Sequence, residues 1–171
     1  MDILSAEQRS LTMSRIRSKN TKPELIVRRY LFANGFRYRV NVTTLPGKPD
    51  IVLRKYRTAI FIHGCFWHGH DCLKGRSPKT NPRFWENKFN RNKERDVEVR
   101  EKLKKLGWNT LIVWECQLKP KVREKTLEEI CYWLNEAFLS IYKKGTPKTY
   151  SMEEITPSIA ADSGYEYKEI K

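Results

Sequence analysis

Histidine is scarce in this chain. Three occur in 171 residues, and all three fall in one stretch, Ile60-Phe-Ile-His-Gly-Cys-Phe-Trp-His-Gly-His-Asp-Cys72. Acid is short too: 20 Asp and Glu face 34 Lys and Arg, a formal net charge of +14. That excess points to an anionic partner, nucleic acid first. No apolar run approaches the length of a membrane span, and no segment pairs a long apolar face with a basic one. The N-terminus, with Asp2 and polar residues interspersed through Thr12, lacks the apolar centre of a secretory signal. The expectation is a cytoplasmic monomer with reduced thiols. Its four cysteines then read as metal ligands or core residues before disulfides.

The length suits one domain with a sizeable core, and no internal repeat is visible. Charge divides it unevenly: positions 146–171 carry a net of −2 and the rest +16. Residues 1–22, with five Lys/Arg against two acids, read as a basic arm or loosely docked helix around Leu11 and Ile16, or equally as a frayed terminus. Thr21-Lys-Pro-Glu24 signals a helix start, and Asn34-Gly35 its end. Phe36–Val42 alternates like a half-buried strand. After the turn Leu45-Pro-Gly-Lys-Pro49, Asp50–Leu53 and Thr58–His63 read as a hairpin joined by Arg54–Arg57. A long helix is expected from Pro82 to Leu106, stopped by Gly107, then a buried strand Trp108–Trp114 and an amphipathic helix Thr126–Lys143. The expected domain spans 23–145, an α/β sandwich around a mixed β-sheet, followed by a tail over 146–171.

Chemistry concentrates in the histidine stretch. Cys65, His70 and Cys72 form a Cys-x4-His-x-Cys cluster, and Cys116 stands just beyond the last predicted strand, whose end can meet that of its neighbour. Three thiolates and one imidazole make a normal structural zinc site. The spacing leaves open buried free cysteines, or His68 or His63 in place of His70. Cys131 falls on an apolar helix face and reads as core. Asp50 at a strand start and Glu24 in a helix first turn are candidates to hold Mg²⁺ near a phosphate; alone, Asp50 is equally a turn residue. His68 can take a proton from water if a partner such as Asp96 orients it. Trp85, Lys88, Asn92 and Asp96 share one helix face. There Trp can stack on a base while Lys and Asn donate to base edges, unless the face is merely solvated.

Leu-Pro-Gly-Lys-Pro-Asp50, Ile-His-Gly-Cys-Phe-Trp-His68, Phe-Trp-Glu-Asn-Lys…Asn…Glu-Arg-Asp96, Gly-Trp108 and Ile-Val-Trp-Glu-Cys116 together resemble the very short patch repair (Vsr) DNA mismatch endonucleases, over roughly Arg9 to Lys143. The resemblance implies a restriction-endonuclease-like core. It also implies a Mg²⁺-dependent nick 5′ to the thymine of a T·G mismatch, the product of 5-methylcytosine deamination. The partner would be double-stranded DNA, with mismatch-repair proteins and a DNA polymerase acting alongside or downstream. On it, Asp50 and the Ile62 carbonyl would bind Mg²⁺, and Glu24 would hold the hydrated metal. His68 would be the general base oriented by Asp96, with His63 near the scissile phosphate. Cys65, His70, Cys72 and Cys116 would hold structural Zn²⁺. Phe66, Trp67 and Trp85 would insert beside the mismatch, Met13 would approach the opposite groove, and Lys88 and Asn92 would read the pair. The acidic-x-Lys pair usual on the third strand of restriction-type nucleases is replaced here by Ile60, Phe61 and Ile62, as in family members. The family position at Ile62 can be Thr, which a main-chain ligand tolerates, and Gly69 between His68 and His70 is no ligand. Two rival readings are a catalytically silent zinc-bearing DNA-binding module and a same-fold nuclease without mismatch preference.

Overall fold

The computed structural model describes residues 5–15 and 19–144; the expected tail over 146–171 lies outside the described residues, as does Ile16 of the N-terminal segment. Helix α1 (Ala6–Ser14) opens on a capping box between Ser5 and Gln8, and its Leu11 and Met13 are exposed. Helix α2 (Lys22–Ala33) opens on a second box between Thr21 and Glu24 and closes at Asn34 and left-handed Gly35. The expected boundary between 22 and 23 therefore falls inside the first turn of α2.

Four strands follow in the spatial order β1-β2-β3-β4: β1 (Arg39–Val40), β2 (Ile51–Leu53), β3 (Thr58–His63) and β4 (Asn109–Trp114). The first three are antiparallel neighbours, and β4 runs parallel to β3. A parallel neighbour needs a crossover, which the long helix α3 (Pro82–Lys105) supplies. It ends at Leu106, and Gly107 takes the left-handed conformation. Helix α4 (Arg123–Lys144) completes the domain and begins three residues before the expected Thr126, because the Lys119 carbonyl already accepts from Arg123 N–H.

The alternation of strand side chains builds two layers. Ile51, Leu53, Ile60 and Val113 face α2 and α4, where Val27, Leu31, Leu127, Ile130 and Leu134 complete the core. Each such fully buried side chain contributes about 1.5–3 kcal/mol. Cys131, expected in this core, is only half-buried and packs against its edge. On the other face, Phe61, His63, Thr110 and Ile112 look toward α3 across a cleft.

Two strand expectations need correction. Phe36–Val42 does not form a long half-buried strand: Phe36 and Tyr38 reach the core, but only Arg39 and Val40 pair with β2, and both are exposed. Left-handed Asn41 ends the strand, and β2 offers only three residues as partner. Trp108–Trp114 is not a buried strand either. Only Val113 is buried, since β4 lies at the sheet edge with a neighbour on one side.

Candidate active site and metal centre

Asp50 stands just before β2 and is half-buried. Its Oδ2 accepts from the Ile62 backbone N–H at 2.7 Å. The β2–β3 register pairs Ile51 with Ile60; carried two residues further, it sets Ile62 opposite Pro49, which has no N–H. The Asp50 carboxylate thus takes the place of a missing ladder partner. The Ile62 carbonyl lies on the same strand edge, because one residue's N–H and C=O point the same way in an antiparallel pair. Burial pushes the Asp50 carboxyl up to about 6, and the Glu24 charge adds to this; the Ile62 N–H and the Arg28 cation work against it.

Glu24 is buried, and both of its oxygens are in use. Oε1 accepts from Thr21 Oγ1 at 2.9 Å, and Oε2 from Asn20 N–H at 3.0 Å and Arg28 Nη2 at 2.6 Å. Arg28 also donates to Asn20 Oδ1 at 2.7 Å and to the Asp50 carbonyl at 3.3 Å, while its buried Nε finds no partner. Glu24 is therefore joined to the Asp50 corner through a buried arginine that sequence reasoning missed. The signal was the Glu24/Arg28 spacing of one helical turn on the face that also carries Val27 and Leu31.

Across the cleft, His68 Nδ1 lies 2.5 Å from Asp96 Oδ2, and His63 Nδ1 lies 3.9 Å from the same oxygen. The two imidazoles stack with centroids 3.7 Å apart and planes 8° from parallel. Parallel stacked rings aim their lone pairs side by side rather than at a common point, so the trio suits a hydrogen-bonded His–Asp pair better than a chelate. The short bond to Asp96 fixes the His68 tautomer and leaves Nε2 free to accept a proton. Burial first, then the neighbouring His68, pulls His63 down to about 4; it is uncharged at neutral pH and props the ring above it. Asp50, Ile62, His63, His68 and Asp96 share a cleft of about 500 Å³ with Gly47, Lys48, Phe61, Arg95, Val99, Arg100, Thr110 and Ile112.

Past β3 the chain turns back on itself, with His68 N–H donating to Gly64 carbonyl and His70 N–H to Cys65 carbonyl at 3.0 Å. This fold gathers Cys65, His70 and Cys72 against Cys116, at the exit of β4, with all four ligand atoms within 4.8 Å of one another. His70, rather than His63 or His68, joins the thiols. It stacks on Trp114 at 4.2 Å, and its Nδ1 lies 3.5 Å from Cys116 Sγ. A Cβ at Gly75 would overlap the His70 carbonyl, so the following turn closes tightly over the cluster. Lys74 and Glu115, paired at 2.7 Å, tie the turns that bracket it. The Cys72 thiol falls to about 6 beside His70, whereas burial pushes Cys65 up to about 12. Ligands on a tetrahedral zinc lie about 3.8 Å apart for sulfur pairs, so this donor set and its spacing fit zinc.

Beside the cleft, Phe66 meets Trp67, Trp85 and Phe89 edge-to-face, with centroids 5.1, 4.9 and 5.6 Å away. Phe84 adds an exposed ring 5.2 Å from Trp85. Sequence reasoning named Phe66, Trp67 and Trp85 but not Phe84 and Phe89, which the spacing Phe84-Trp85…Phe89 along one helix could have shown. Asn92 does not lie on an open face: it is buried, and its Nδ2 donates to the Trp67 carbonyl at 2.6 Å. Lys88 is exposed. Met13 is exposed on α1.

A carboxylate and carbonyl, a His–Asp pair sharing their cleft and an aromatic cluster on the adjoining loop and helix, on a strongly basic chain, are groups suited to hydrolysing a polyanion. The family model described as DNA mismatch endonuclease Vsr matches residues 1–74. A type II nicking enzyme of Neisseria meningitidis serogroup A, V.NmeAIP, is 53% identical over 120 residues, covering 70% of this chain and 86% of that protein. The DNA mismatch endonuclease Vsr of Escherichia coli K12 is 41% identical over 128 residues, covering 75% and 81%. The type II nicking enzyme V.XorIIP of Xanthomonas oryzae pv. oryzae is 44% identical over 117 residues, covering 68% and 86%. The chain belongs to the Vsr family and is an endonuclease.

Proposed function

We propose that the chain nicks one strand of duplex DNA 5′ to the thymine of a T·G mismatch, in a Mg²⁺-dependent reaction on a restriction-endonuclease-like core. The observation that carries this reading is the His68–Asp96 pair at 2.5 Å facing Asp50 across one cleft, with the Phe66/Trp67/Trp85 cluster on the same loop and helix.

Asp50 and the Ile62 carbonyl offer the hard oxygen donors that suit Mg²⁺. When bound, the ion neutralises phosphate charge. His68 Nε2 takes the proton of the attacking water, and Asp96 holds the ring and stabilises the imidazolium. Water oxygen bonds to phosphorus as the bond to the 3′ oxygen breaks, and that oxygen takes a proton from solvent water, leaving a 3′-hydroxyl and a 5′-phosphate. Glu24, saturated by α2 and Arg28, acts on this site by fixing the Asp50 corner. Cys65, His70, Cys72 and Cys116 would hold zinc, bracing the loop with no part in proton transfer.

Mismatch selection follows from stacking. Unstacking a DNA step costs a few kcal/mol, a mismatched step less, and aromatic stacking returns about 1–3 kcal/mol per base. Phe66, Trp67 and Trp85 supply that return, Lys88 and Asn92 read the pair, and the basic segment 1–22 with Met13 contacts the opposite groove. Reading by Asn92 would require it to release the Trp67 carbonyl. Among the described residues no helix is long and apolar enough to cross a membrane; the reading places the enzyme in the cytoplasm as a monomer, with 23–145 as its endonuclease domain.

The test is incubation with Mg²⁺ and end-labelled duplexes carrying T·G or T·A at one site. Nicking of T·G alone, abolished by Asp50→Ala, is expected. Equal cutting of both duplexes would replace the reading with a nuclease lacking mismatch preference, and binding without cutting would leave a DNA-binding module.

A further inference from the structure

Three cations line the cleft together with its acids: Lys48, Arg95 and Arg100. Two of them come from α3, where positions 95, 96, 99 and 100 form one face, so Arg95 and Arg100 flank the side of the helix that presents Asp96. The third arrives on the turn Leu45–Lys48, closed by Lys48 N–H donating to the Leu45 carbonyl at 3.2 Å. Both Gly47 (φ +73) and Lys48 (φ +50) are left-handed there. A lysine disfavours that conformation, and strain of this kind persists where surrounding structure imposes it. Here the imposing contact is identifiable. A Cβ at position 47 would overlap Val99 Cγ1, so the turn is seated on α3 against the residue between Arg95 and Arg100.

These cations are not consumed by the acids around them. Neither Lys48 nor Arg100 has an ion-pair partner among the described residues, and the closest carboxylate to Arg95 is Asp96 Oδ1 at 3.8 Å. The other Asp96 oxygen serves His68. The cation nearest in role to Asp50 is Arg28, which reaches its carbonyl from behind. Two cations with no ion-pair partner among the described residues and a third, Arg95, held only at 3.8 Å from Asp96, reach one cleft from two elements and match a phosphodiester: guanidinium forks grip its oxygens in pairs and the ammonium adds a point charge.

We propose that Lys48, Arg95 and Arg100 form a phosphate clamp that grips the backbone phosphate next to the scissile one on the nicked strand. It fixes the strand's register against Asp50 and His68. This deepens the nuclease reading above and rests on it.

The clamp is tested by a cycle between protein and DNA charge. Lys48→Gln, Arg100→Gln and a control that does not line the cleft, Lys121→Gln, are assayed for kcat/KM on the T·G duplex over a range of NaCl concentrations. Two further duplexes carry a neutral methylphosphonate at one or the other phosphate flanking the nick. On unmodified DNA each clamp variant is expected to lose about tenfold or more, the effect of one charge-assisted hydrogen bond. Its logarithmic salt slope should fall by about 0.9, one phosphate contact, while Lys121→Gln changes little. On one of the two modified duplexes, wild type should drop to the variants' level and the variants lose nothing further. Losses that multiply on both modified duplexes, or an equal loss in Lys121→Gln, overturn the clamp. If wild type fails to nick at all, the nuclease reading falls. The clamp is then decided by equilibrium binding of the same duplexes, where the same non-multiplying pattern supports it and multiplying losses refute it.

Discussion

Replacing Arg28 by Met should destabilise the fold far more than the loss of one surface cation would. The guanidinium and the Glu24 carboxylate are paired at 2.6 Å with side chains only 8% and 5% exposed. Methionine fills similar volume but leaves the carboxylate buried with neutral donors alone, from Thr21 and Asn20. Asn20 Oδ1 and the Asp50 carbonyl lose their donor as well. Breaking a buried pair from one side costs about 3–5 kcal/mol. In a chain of this size that corresponds to a fall of roughly 6–20 °C in Tm.

The sign of the double variant decides the cause. Glu24→Gln removes the stranded charge, so Arg28→Met/Glu24→Gln should be more stable than Arg28→Met alone, with a coupling of about 1–3 kcal/mol. Urea unfolding of the four proteins in the cycle, with any metal at the cysteine cluster retained and Mg²⁺ absent, measures it. Additive losses, or a single-variant cost below about 1 kcal/mol, would show that the pair behaves like a solvated surface bridge. The reasoning about Glu24 would then be refuted.

Asp50→Asn should stabilise the Mg²⁺-free protein at pH 7. Burial raises this carboxyl from 3.8 to about 6 in the fold, so the native state binds the extra proton between those values. Stability from Asp50 is full below pH 4 and lost as pH rises through 6, a difference of about 2–3 kcal/mol that the amide abolishes; pH-dependent urea melts of both proteins check it. Asp96→Asn should cut nicking by about 10²–10⁴-fold through the wrong His68 tautomer while leaving DNA affinity unchanged in a binding titration. Cys116→Ser should lower the zinc content of purified protein below one ion per chain and depress its Tm. Metal analysis with a melt distinguishes that result from cysteines that are merely packed.

Local chemistry was legible in the sequence wherever it was self-contained. Thr21 and Glu24 close a capping box because the residues that satisfy each other are three apart. Gly107 stops α3, and the length of α3 dictates the crossover that makes β4 parallel to β3. From that topology the meeting of Cys65 with Cys116 follows, since both leave the same end of neighbouring strands. What escaped depended on neighbours that no local pattern reports. The apolar composition of β4 suggested burial on both sides, but only the strand order reveals that it is an edge. Glu24 was readable as an acid near a metal corner, yet its saturation by Arg28 depends on how α2 lies over Asp50. Asn92 has the same helical spacing as exposed Lys88, and its burial comes from the Trp67 carbonyl on a distant loop.

The loop after β3 sends consecutive residues to different anchors, and α3 receives two of them. Asn92 holds the Trp67 carbonyl, and one turn later Asp96 holds the His68 ring. Trp67 and His68 are adjacent, so the peptide between them is fixed at both ends to one rigid helix about 5–6 Å apart. On its other side the same loop is fixed by Cys65, His70 and Cys72 at the cluster closed by Cys116. A displacement of Trp67 must then move His68, break one of the α3 bonds, or pull on the cysteine cluster. The first is the least costly if α3 shifts with the loop, because both bonds survive. Under the proposed function, seating the aromatic cluster at a lesion and aligning the general base are one motion for as long as Asn92 holds the Trp67 carbonyl, before it turns to read the pair. A loop held only at its ends would allow the wedge to enter DNA while His68 stayed out of line.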